Sequence, residues 1–93
     1  MDLRDALIDW DDLDDERGNT AHLAEHGLTS EEVESVLFDA NAMFDTSDSS
    51  GRPLAFGHTM TDRYIVVVFE VMNLDNPLII RPITAYEVSE PTA

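Results

Sequence analysis

The run Arg63–Val71 (RYIVVVFEV) constrains this chain more than any other stretch. It is almost wholly apolar and rich in β-branched residues. A segment of that kind suits a central strand buried on both faces. Its flanks supply turns: Met60-Thr61-Asp62 before it and Asn73–Pro77 (NLDNP) after it. On the far side of the first turn, Pro53–Thr59 (PLAFGHT) alternates, with Leu54 and Phe56 to one side and Ala55 and Gly57 to the other. Beyond the second turn, Leu78–Ala85 reads as a strand in which Pro82 marks an edge position or an end. Three consecutive strands with short turns predict an antiparallel meander. Ala42–Thr46 is a weaker strand candidate, and Thr46–Gly51 (TSDSSG) is a loop.

A meander alone cannot hide its apolar side, and the helices that cover it are written in NTAHLAEHGLTSEEVESVLF, residues 19–38. A first helix is expected over about Asp15–His26, weakened in its first turn by Gly18 and ended by Gly27 in the left-handed conformation. Thr29 and Glu32 have the spacing of a capping box that opens a second helix, and Leu28 and Val33 that of a hydrophobic staple. Val33, Val36 and Leu37 recur at i, i+3 and i+4, which gives that helix a buried stripe. A short strand or extended arm is expected around Leu7–Trp10, with Trp10 in the core or over it. The fold class that follows is α+β: two N-terminal helices packed on an antiparallel β-meander, in one domain over residues 1–93.

Charge narrows the function. The chain carries 20 acids and 5 arginines, with no lysine, for a net charge of −15. Residues 1–50 hold 15 acids and 2 arginines, a net −13, while residues 51–93 are nearly balanced. Such a field repels polyanions and favours either plain solvation or the docking of a basic partner. Zero cysteines exclude disulfides, zinc–thiolate sites and thiol catalysis. No apolar run approaches the roughly 18 residues of a membrane helix, and the acidic start MDLRDALIDWDD is unlike a signal peptide. A cytoplasmic protein without membrane association is expected.

The same helical stretch carries a family resemblance. Asn19-x-x-His22-x-x-x-His26-Gly27-Leu28-Thr29-x-Glu31-Glu32-Val33-Glu34 resembles the helical half of the BrnT-type toxins, and Trp10-Asp11 resembles that family's aromatic–Asp opening at a longer spacing. Gly57-His58-Thr59 followed by Arg63–Glu70 is similar to its paired strands, and Ile80-Arg81-Pro82-Ile83-Thr84-Ala85 to its closing strand. The resemblance spans about residues 8–89. It implies a RelE-like ribonuclease fold and the toxin half of a type II toxin–antitoxin pair. Such a toxin cleaves RNA without a metal or cofactor and is silenced by a cognate antitoxin that is basic or DNA-binding. This chain differs in placing Tyr86 where the family has an arginine, and its ending Glu87–Ala93, with Pro91, is not expected to form the family's basic helix. A catalytically degenerate relative that acts as a protein-binding or regulatory module is therefore the alternative.

Metal-free RNA cleavage needs a base for the 2′-hydroxyl, an acid for the leaving oxygen and positive charge at the phosphate. His22, His26 and His58 are the candidates for proton transfer. Arg63 and Arg81 are the catalytic cations, and Arg52, Arg63, Arg81 and Tyr86 the expected RNA contacts. Arg63 and His58 flank one turn and are expected close together, in a small cationic patch. Each imidazole also has a structural role open to it: His26 in capping or packing, His22 at the surface, His58 in cross-strand pairing. Tyr86 is either a ring packed at the sheet edge or a phenol contacting RNA. The i, i+4 spacing of His22 and His26 also suits zinc, but no third ligand is dictated, so no metal site is expected. The acids Asp11, Asp12, Asp14 and Asp15 lack the pattern of a calcium loop and read as a solvated, helix-initiating stretch.

Overall fold

A computed structural model of the chain describes residues 3–91. The architecture is α+β, with two helices over one face of a five-stranded mixed sheet. The elements run β1 (Leu7–Ile8), α1 (Asn19–Glu25), α2 (Ser30–Leu37), β2 (Met43–Thr46), β3 (Pro53–His58), β4 (Tyr64–Asn73) and β5 (Ile79–Glu87). In space the strands lie in the order β1-β5-β4-β3-β2. β2 through β5 pair antiparallel, as the meander requires, with Val67 opposite both Ala55 and Ala85. The purely antiparallel expectation fails at β1, which pairs parallel with the start of β5. The intervening helices and meander carry the chain far enough to bring a parallel partner back alongside.

β4 is the centre, and its alternation sorts the layers. Ile65, Val67 and Phe69 are fully buried and meet Leu23, Leu28, Val33, Val36 and Leu37 from the helices. Small neighbours let α2 come close: a Cβ on Gly57 would stand 3.2 Å from Val36 Cγ1. The other face of β4 is covered less completely. Val66 is 3% exposed, while Tyr64 and Val68 are only half-buried, because no helix lies over them. Burial on both faces therefore holds fully for the helix side alone.

Helix boundaries follow local chemistry. α1 starts at Asn19, four residues later than expected, because residues 13–18 form turns closed by Asp15 N–H to Asp12 and Gly18 N–H to Asp15. It ends in a Schellman motif, with Leu28 N–H on the Leu23 carbonyl and Gly27 N–H on that of Ala24, and Gly27 at φ +72°. The α2 capping box forms as its sequence spacing predicts: Thr29 accepts from Glu32 N–H, and Glu32 accepts from Thr29 N–H. Pro82 sits at the irregular step of the β4–β5 ladder, just past the last residue β1 covers. No helix among the described residues is long and apolar enough to cross a membrane.

Glu32 is buried and also accepts from Thr61 Oγ1 at 2.6 Å and faces Arg63 at 3.5 Å. Thr29→Ala is expected to lower stability by about 1 kcal/mol, the usual value of an N-cap. Glu32→Ala should cost clearly more, since it strips an acceptor from three partners. Urea unfolding of the two variants checks the order.

Candidate functional site

One side of α1 gathers most of the chemistry. His22 and His26, one turn apart, stand edge to face with ring centroids 5.2 Å apart, and the Tyr86 ring lies 6.2 Å beyond His26. His22 Nδ1 is 3.6 Å from Glu25 Oε2. Below His22 a groove of about 430 Å³ opens between the start of α1 and β5, lined by Arg17, Asn19, Arg81 and Ile83 among others. Arg17 is exposed and makes no ion pair among the described residues. Its place was open to sequence reasoning, because Gly18, His22 and His26 fall on one line of a helix and Arg17 directly precedes it.

The arginines do not make the expected cationic patch. Arg81 donates from Nη1 to Asp9 at 3.2 Å and to Asp11 at 3.2 Å, and from Nη2 to Asp11 at 2.7 Å. Arg63 donates from Nε to Glu87 and from Nη1 to the Gly27 carbonyl at 2.6 Å, with Glu32 alongside. Arg52 Nε bonds Glu70 at 2.9 Å. Two carboxylates thus stand against each of Arg63 and Arg81, so each cluster is locally negative.

His58 and Arg63 flank their turn but face opposite ways. Gly57 faces α2, so alternation turns His58 to the other side, where it meets Tyr64 at 5.1 Å between ring centroids and Glu90 at 2.8 Å. Arg63 reaches instead to the end of α1. His58 and Arg52 therefore lie apart from the His22–His26 row, and His58 fills the cross-strand role opposite Tyr64. No third histidine, aspartate or glutamate joins His22 and His26 in a metal-binding set among the described residues.

The residues that carry the resemblance largely bond to one another. Asp11 Oδ2 accepts from Asn19 N–H at 2.8 Å, so a carboxylate eight residues upstream caps α1 in place of Gly18, which has no side chain to do so. A Cβ on Gly18 would stand 2.5 Å from Asp11 Cβ, so glycine is what admits this approach. Asn19 Oδ1 accepts from Asp11 N–H, and its Nδ2 donates to the carbonyls of Asp9 and Pro82 at 2.9 Å each. Trp10 Nε1 donates to Glu34 at 2.8 Å. Asp11 is thus a structural anion and no part of a solvated run, a role invisible without knowing that Arg81 arrives beside it.

Comparison with known proteins adds no relative: no protein-family model matches this chain, and no curated protein matches it significantly.

The Arg81 guanidinium and the Asn19 N–H hold the Asp11 carboxyl below the usual carboxylate range, and the Thr61 hydroxyl does the same for Glu32. A carboxyl so depressed stabilises the fold above its ordinary pKa, and that stability is lost as pH falls through the folded value. Acidification also relieves the repulsion within a chain of net charge −15, so the two effects oppose. The difference between wild type and Asp11→Asn separates them. It should be largest at pH 7, hold to about pH 5, and shrink steadily below about pH 4. Urea midpoints measured across that range give the curve.

Proposed function

We propose that this chain is the toxin half of a type II toxin–antitoxin pair of the BrnT-like, RelE-like kind, cleaving RNA without a metal in the cytoplasm. The observation that carries this is the exposed His22–His26 pair beside a groove that holds Arg17. Two imidazoles can divide the work of transesterification. One takes the proton from the ribose 2′-oxygen as it attacks phosphorus, and the other, protonated, gives a proton to the departing 5′-oxygen. Imidazole suits both roles because its ordinary titration lies near neutrality. Arg17, at the groove and in no ion pair among the described residues, is a cation able to meet the phosphate, and the Tyr86 phenol extends the row. Arg63 and Arg81 act through the fold: they set the end of α1 and the start of α1 respectively, and so aim the two imidazoles.

His22→Gln and His26→Gln should each lower cleavage of a generic single-stranded RNA more than tenfold in the presence of EDTA, with the circular dichroism spectrum unchanged. Arg17→Ala should raise the substrate concentration needed for half-maximal rate. Absence of cleavage by the wild type at every ionic strength would end this proposal.

A second function, a catalytically silent module that binds a protein partner, is favoured by the carboxylates on Arg52, Arg63 and Arg81 and by the overall charge. RNA affinity against salt separates the two. Phosphate-driven binding weakens steeply as salt rises, whereas a protein that holds no RNA at low salt has no such slope.

A further inference from the structure

The opposite side of α1 carries a second cleft, unrelated to the histidine row. Thr20 and Ala24 line it and lie about 200° around the helix from His22 at 100° per residue. Its other walls are Leu13, Leu28, Thr29, Ser30 and Glu31, and its volume is about 370 Å³. Its apolar part comes from three side chains: Leu13 is 68% exposed at one lip, and the buried Leu28 sits among the lining residues with Ala24.

The rim is anionic. Asp12 and Asp14 flank Leu13 in the chain, Glu31 lines the cleft itself, and all three are exposed. None of them takes part in an ion pair among the described residues, in contrast to Asp9, Asp11, Glu32 and Glu87, whose charges are spent on arginines. They stand in the half of the chain that carries a net −13, two arginines against fifteen acids. A second copy of this chain is a poor occupant, since it would set −15 against −15 with no lysine to offer. RNA is repelled from this rim by the carboxylates of Asp12, Asp14 and Glu31, which no cation offsets among the described residues. What fits is the complement: positive charge around one apolar side chain.

We propose that this cleft docks a lysine- or arginine-rich protein segment, with a single aliphatic or aromatic anchor seated between Leu13, Ala24 and Leu28. The apolar contact supplies the anchor's affinity, while the unpaired carboxylates of Asp12, Asp14 and Glu31 select and steer the cationic flanks. The site is independent of RNA cleavage, and it holds whether or not the histidine row is catalytic.

The test uses the full chain and two synthetic nonapeptides, one a leucine flanked on each side by four lysines, the other with glycine in place of the leucine. Calorimetric titration at low salt should show the leucine peptide binding at least tenfold tighter. Ala24→Arg, at an exposed helical position, fills the cleft and places a positive charge among its carboxylates, and should weaken the leucine peptide at least tenfold. Leu74→Arg makes the same charge change at a side chain 81% exposed in the β4–β5 turn, and should alter binding less than twofold. Equal affinity for the two peptides would reduce the effect to general charge attraction and overturn the proposal. So would equal weakening by both arginine variants, or no binding of either peptide by wild type. The circular dichroism spectrum and urea midpoint of each variant confirm that it folds.

Discussion

The carboxamide of Asn19 is the joint on which the rest of this molecule turns. It is 5% exposed, and its three side-chain hydrogen bonds reach the arm at Asp9 and Asp11 and the sheet at Pro82, 63 residues further along. Each of these bonds satisfies a backbone group, and backbone groups left unpaired in a protein interior cost about 1–3 kcal/mol apiece. The same residue begins α1, and its own N–H takes Asp11, which in turn grips Arg81. Arm, helix and closing strand are thereby registered on one another. The direction in which α1 displays His22 and His26 is a consequence of that registration.

Cations are scarce in this chain, and the fold uses most of them internally. Arg81 ties β5 to the arm, Arg63 holds the end of α1 through the Gly27 carbonyl, and Arg52 pairs with Glu70 across β3 and β4. In a molecule of net charge −15, an arginine near any carboxylate is drawn into architecture before it can serve a ligand. Among the described residues, what remains along the His22–His26 row and its groove is the Arg17 guanidinium, the two imidazoles and the Tyr86 phenol. Such a set would hold a polyanion weakly, so the RNA cleavage proposed above would require low ionic strength or a short substrate contact.

Much of the architecture was legible in the sequence because its signals are local. The apolar run of β4 set the centre of the sheet, the Thr29–Glu32 spacing set the start of α2, and Gly27 set the end of α1. Each depends on residues within one or two turns of one another. The first turn of α1 is not legible in the sequence because its cap, Asp11, lies outside the helix and acts across eight residues, whereas the acid run as a whole reads as helix-initiating with the helix starting at Asp15. β1 is legible as an extended segment, yet its parallel partner is not, since a two-residue pairing across some 70 positions leaves no periodic trace.

The candidate site divides along the same line. Sequence alone determined that His22 and His26 share a helical face, that the chain is acidic and lysine-free, and that β3, β4 and β5 form a meander. Helical and strand periodicity are intrinsic to the backbone, so those facts needed no partner. Only the tertiary structure decided that His58 faces away from Arg63, that Tyr86 joins the imidazole row, and that Arg52, Arg63 and Arg81 spend their charge on carboxylates far away in the chain. Ion pairing is non-directional along the sequence and follows proximity in space, which exists only once the sheet and helices have closed upon each other.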